Sequence, residues 1–172
     1  MATQPRAGEM LVGAYLKLIE ECEVVAYGQH SPLEGEQMEV DVIGIQPSGG
    51  REVITCEVAT HLRGLGYGTA AENGDRVAKK FTRAERYVDR VFDAADTHRF
   101  QFWSPNVPPA SEEALREVAS EFGARSGSEL ELVVNGEYAG RVEELRATAS
   151  ATYAQRNELA FRFLQILEHV RD

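Results

Sequence analysis

Two carboxylates stand where apolar side chains would be expected. Asp41 lies within EVDVIGI (39–45) and Glu57 within ITCEVAT (54–60), and both runs have the length and β-branched content of strands. Side chains alternate along a strand. Glu39, Asp41 and Ile43 therefore share one face, as do Val53, Thr55, Glu57 and Ala59. A charged group in such a run costs roughly several kcal/mol unless it is solvated or paired. Two carboxylates on neighbouring strands repel one another and favour a divalent cation, the hard-oxygen arrangement of a hydrolytic magnesium or manganese centre. A solvated sheet face, or a place at the strand ends, would satisfy the same spacing without a metal. The chain contains neither a Cys/His metal cluster nor a GxSxG nucleophile. The Gly-rich stretch HLRGLGYG (61–68) matches neither a phosphate loop nor a dinucleotide fingerprint.

The elements that must position these groups follow from periodicity. Leu11, Val12, Tyr15, Leu18 and Ile19 predict a helix over 9–22, after a tail at 1–7 read as disordered. Strands are predicted at 23–27, 38–46 and 52–60, with GQHSPLEGEQ (28–37) as a loop and PSGG (47–50) as a hairpin turn. A Gly-rich flap carrying Gly64, Gly66, Gly68 and Gly74 leads into a helix over 75–92, with Asp75 as its N-cap and Val77, Phe81, Ala84, Val88 and Val91 on one face. A strand at 99–103, a helix at 111–122 with Ser111 as its N-cap, a strand at 129–134 and helices near 137–151 and 158–170 complete the order. This order predicts a single α/β domain over 8–172 with a mixed β-sheet flanked by helices. The last helix is apolar nearly all round, which predicts burial on more than one side, either in the core or in a homodimer interface.

GEMLVGAYL (8–16), EVDVIGI (39–45) and CEVAT (56–60) together resemble the PD-(D/E)XK nuclease superfamily, in particular its small Holliday-junction-resolvase-like and Mrr-like members. The resemblance covers roughly residues 8–104. It implies a restriction-endonuclease-like αβββαβ core over 8–104 with a C-terminal helical extension at about 135–172. It also implies hydrolysis of DNA phosphodiester bonds with Mg²⁺ (or Mn²⁺) held by Asp41, Glu57 and the backbone carbonyl of Val58, and Glu9 reaching the site from the first helix. Resolvase-like members are often dimers, so the resemblance extends to a homodimer. The chain departs from the pattern at Ala59, where the family carries its lysine.

At about 100° per residue, Lys80 falls about 60° from the centre of the core face of its helix, whereas Lys79 falls about 160° away. Lys80 is thus the candidate replacement for the missing lysine, unless it merely snorkels beside the core. His61 shares the parity of Glu57 and Ala59 and is a second candidate, unless it is an ordinary loop histidine. Arg76, Lys79 and Arg83, with Arg86 and Arg90, form a one-sided basic stripe, and Glu85 and Asp89 fall on the other flank. The stripe reads either as a phosphate track or as a solvated face. Arg63 and Tyr67 sit on the flap, where they could touch substrate.

Composition bounds these readings. The 172 residues carry a net charge of −10, which opposes indiscriminate nucleic-acid binding. Residues 62–110 nevertheless carry eight Lys/Arg against six Asp/Glu. Cys22 and Cys56 form no CxxC pair and read as buried reduced thiols of a cytoplasmic protein. No apolar run is long enough for a membrane span. Two functional classes therefore stand: a metal-dependent nuclease, or a catalytically inactive nuclease-fold protein acting as an interaction or regulatory module.

Overall fold

The structure, a computed structural model, describes residues 4–30, 39–46, 50–92 and 96–170. Most of the loop predicted at 28–37, the hairpin turn at 47–50 except Gly50, and the first three residues of the tail lie outside them. The chain runs α1 (Ala7–Leu18), β1 (Val24–His30), β2 (Glu39–Gln46), β3 (Glu52–Val58), α2 (Ala70–Val91), β4 (Thr97–Ser104), α3 (Pro109–Ser126), β5 (Glu129–Val134), α4 (Asn135–Ala151) and α5 (Leu159–His169).

The five strands form one sheet in the order β1-β2-β3-β4-β5. β1, β2 and β3 pair antiparallel, and β4 and β5 add in parallel, so the sheet is mixed. The two faces bury alternate residues, as strand geometry demands. On one face α2 and α3 set Val77, Phe81, Val88, Leu115 and Phe122 against Ile43, Val53, Phe100 and Phe102. Phe81, Phe100 and Phe122 meet edge to face there, with ring centroids 5.0–6.3 Å apart. On the other face α1, α4 and α5 set Tyr15, Leu16, Leu145 and Phe161 against Val42, Ile54, Cys56 and Trp103. Both cysteines are buried and free. Among the described residues no helix is long and apolar enough to cross a membrane.

Several element ends differ from the sequence expectation. Helix α1 begins at Ala7, because the Glu9 carboxylate accepts the Arg6 N–H at 2.9 Å and closes the first turn. β1 runs on through Gly28 to His30, pairing with β2 along its length. Helix α2 begins five residues before Asp75. Its cap is Thr69, whose hydroxyl accepts the Glu72 N–H while Glu72 accepts the Thr69 N–H at 2.7 Å. Gly74 is therefore no loop residue. It lies inside α2, where its missing Cβ would meet Ala114 Cβ of α3 at 3.4 Å. Ser111 does not cap α3, which starts at Pro109. It is buried and accepts a hydrogen bond from Asn73 Nδ2 at 2.9 Å, tying α3 to α2. Helix α5 buries one side only, through Phe161 and Gln165, and leaves Leu159, Phe163, Leu167 and Val170 exposed.

Candidate active site

The β2–β3 ladder ends with the pair Val42–Cys56. One step further along each strand come Asp41 and Glu57, on the face covered by α2. Asp41 Oδ2 accepts the Val58 N–H at 2.8 Å, which fixes that carboxylate against the end of β3. Glu57 is 1% exposed and receives the ammonium of Lys80 from α2, with Nζ 2.5 Å from Oε2. The neighbouring Lys79 points to solvent. Lys80 itself remains about a third exposed (35%), so its head lies between the buried carboxylate and the open side of the site.

Glu9 enters from the opposite helical layer. Gly8 permits this: a Cβ there would lie 2.3 Å from the Thr60 methyl, so only glycine lets the N-terminus of α1 close onto the end of β3. Glu9, Asp41, Val58, Ala59, His61 and Lys80, with Arg6, Thr60 and Tyr67, line one pocket of about 260 Å³. Its electrostatics are strained in one direction. Burial pushes Glu57 up to about 7, against the pull of the Lys80 ammonium, and the Asp41 charge adds to the rise. Burial likewise raises Asp41, opposed by Lys80 and by the Val58 N–H. Glu9 is raised by burial, opposed by its bond from Arg6. For Lys80, burial lowers the pKa, but Glu57 and Asp41 outweigh it and hold the ammonium protonated above its ordinary range.

The Gly-rich segment beside the pocket is anchored rather than free. Leu65 is buried and its N–H donates to the Asn106 carbonyl. The Tyr67 N–H donates to Asn73 Oδ1 at 3.0 Å. Asn73 is 1% exposed and also reaches Ser111, so one buried amide joins the segment, α2 and α3. Tyr67 in turn carries the Arg76 guanidinium 4.6 Å above its ring centre and meets the His61 ring edge-on at 5.4 Å. Arg76, Lys79, Lys80 and Arg83, with Glu72 and Asp75, line a second hollow of about 490 Å³ along α2. Lys80 belongs to both hollows. Arg63 is exposed and lines neither.

Glu9, Asp41, Glu57, Val58, His61 and Lys80 are thus brought together, Arg76, Lys79 and Arg83 adjoin them, and Arg63 stands apart. The sequence analysis did not single out Arg6 and Asn73. Arg6 falls in a segment read as tail. Asn73 precedes a glycine and imitates a turn, although the Thr69-x-x-Glu72 spacing marks a helix start upstream of it.

Among the described residues, no group of three or more His, Cys, Asp and Glu side chains is disposed to hold a metal ion. Magnesium needs no such cage. It is commonly held by one or two carboxylates and completes an octahedral shell with water and substrate phosphate oxygens. Asp41 and Glu57, hard oxygen donors beside a lysine, fit a site of that shared kind. No protein-family model, curated protein or solved structure matches the chain.

Proposed function

We propose that the chain is a magnesium- or manganese-dependent nuclease with a restriction-endonuclease-like core, hydrolysing DNA phosphodiester bonds. The observation that carries this reading is the ion pair between Lys80 and Glu57. The family lysine would project from position 59, on the same face and two residues beyond Glu57. Lys80 brings an equivalent ammonium to that carboxylate from α2. The element order α1-β1-β2-β3-α2-β4 and the parallel β3–β4 pair support the fold assignment.

Asp41 and Glu57 would hold the cation, with the Val58 carbonyl as a third donor. When bound, it polarises a phosphate oxygen and lowers the pKa of an attacking water. The Val58 N–H fixes the Asp41 carboxylate, so one oxygen is oriented before substrate arrives. Lys80 keeps its proton and donates to a phosphate oxygen or to the attacking water, stabilising charge that builds in the transition state. Glu9, at the pocket wall, accepts a hydrogen bond from that water. His61, at the pocket wall, would donate to a phosphate oxygen or act as a base. A second copy packs on the exposed apolar side of α5 to form a homodimer.

A second reading has its own observation. Ala59 is 4% exposed and packed in the core, and Lys80 already balances one of the two buried charges without a metal. On that reading the pocket is a structural ion pair in an interaction module.

Calorimetric titration of Mg²⁺ and Mn²⁺, with and without DNA, separates the two. We expect binding in the wild type that strengthens with DNA and is lost in both Asp41→Ala and Glu57→Ala. Cleavage of branched, single-stranded or duplex DNA should vanish in Lys80→Met and partly return in the double variant Ala59→Lys/Lys80→Met, where the lysine stands in the family position. Absence of metal binding and of cleavage with every DNA would leave the interaction-module reading standing.

A further inference from the structure

Several described arginines in this acidic chain are neutralised within the fold. Arg51 pairs with Asp96, Arg125 with Glu85 and Arg146 with Glu143 and Glu168, and Arg99 and Arg141 are enclosed by Glu20, Glu52 and Glu131. Arg76, Lys79 and Arg83 differ. Among the described residues none of the three has a carboxylate oxygen within salt-bridge distance, although Glu72 and Asp75 line the same hollow. All three are exposed on one flank of α2, and the hollow they line shares Lys80 with the pocket of Asp41 and Glu9.

The geometry limits what such a set can hold. From Arg76 to Arg83 the helix rises about 10 Å, and the cations follow one line. The opposite flank of α2 carries Glu85 and Asp89, with Glu85 tied to Arg125. A duplex presents phosphates on both walls of a groove about 6 or 12 Å wide, so one wall would lie towards that acidic flank. Arg76 is held in place: its guanidinium lies 4.6 Å above the Tyr67 ring centre, a contact that leaves its N–H donors available for phosphate recognition. Tyr67 is itself held by the buried Asn73 amide.

We propose that the hollow along α2 is a track for one DNA strand, and that the substrate is single-stranded or locally unpaired DNA whose backbone runs along Arg83, Lys79 and Arg76, with Lys80, between Lys79 and Arg83 on the helix, joining that track to the pocket of Asp41. This deepens the nuclease reading and rests on it for the word substrate; the strand track is tested apart from it, in chelator.

Fluorescence anisotropy at low ionic strength, with EDTA present, measures binding of a labelled oligothymidylate and of a hairpin duplex of equal length. We expect the single strand to bind at least about tenfold more tightly. Its log K should fall with log salt at a slope of about −2, since three cations each contribute about 0.7. Lys79→Ala and Arg83→Ala, both at exposed positions, should each reduce that slope by about 0.7. Equal or tighter duplex binding, no binding of the oligothymidylate, or a double variant Lys79→Glu/Arg83→Glu that binds as the wild type does would overturn the track. Single-strand binding in EDTA without cleavage in Mg²⁺ would sink the nuclease reading and leave the track. Cleavage of duplex alone would do the reverse.

Discussion

At the scale of single residues, the unusual object is a glutamate at full burial whose partner is only partly buried. Burial raises Glu57 to about 7 from an ordinary 4.5. A carboxyl raised on folding binds more protons in the native than in the unfolded state across that interval. Its contribution to stability is therefore complete below about 4.5 and is lost as pH rises through 7. Denaturant unfolding of the wild type should show stability declining over that window, and Glu57→Gln should flatten the decline and be the more stable form at pH 8. An unchanged slope in the variant would mean that the charge is compensated elsewhere. Metal binding should run the other way, strengthening from pH 6 to 8 as Glu57 gives up its proton. Much of this site is legible in the sequence. Two carboxylates interrupting apolar runs are visible in EVDVIGI and ITCEVAT, and strand parity gives the neighbours with which each shares a face, whereas the β2–β3 register that sets Asp41 beside Glu57 comes from the fold. A helical wheel turns Lys80, and not Lys79, towards the sheet. What the sequence withholds is the reach of α1: that Glu9 stands at the end of β3 depends on Gly8 meeting Thr60, a contact between residues fifty-two apart.

At the scale of elements, two glycines that look alike in sequence do opposite things. Gly8→Ala would drive a methyl group into Thr60 and should destabilise by about 1–3 kcal/mol. Thr60→Ala should recover most of that loss in a double-mutant cycle, because it removes the clashing atoms. Gly74→Ala, inside α2 and 3.4 Å from Ala114, should instead stabilise by about 0.5–1 kcal/mol, the ordinary gain of alanine in a helix. Thermal or urea unfolding of the variants checks all of them. Helix α2 starts upstream of Asp75 for a physical reason. Asn73-Gly74 carries the chemistry of a turn, but the capping box at Thr69 and Glu72 nucleates the helix upstream and carries both residues inside it. Ser111 misled in the same way: its hydroxyl serves a neighbouring helix, and a preceding proline starts its own.

At the scale of the whole molecule, the apolar side of α5 remains uncovered, with Phe163 60% and Leu167 53% exposed. The periodicity of the last helix shows apolar residues all round, but not which of them the rest of the chain would cover. If a second copy covers them, the wild type should sediment as a dimer, and Phe163→Glu/Leu167→Glu as a folded monomer with unchanged circular dichroism. A monomeric wild type would remove the dimer from the proposal. The sheet order has a consequence of a different kind. Each strand is added beside the one before it in the chain, so a polypeptide emerging from the ribosome N-terminus first never has to open a finished sheet to admit a later strand. Glu9, Asp41, Glu57 and Lys80 all precede β4, so these four can meet during synthesis, while the anchors of the Tyr67 segment, Asn106 and Ser111, follow β4. The exposed edge at that moment is β3, with Val53, Ile54 and Cys56. Slow codons or a stall shortly after α2 would hold that edge open, which makes the interval before β4 emerges the point in synthesis most vulnerable to aggregation.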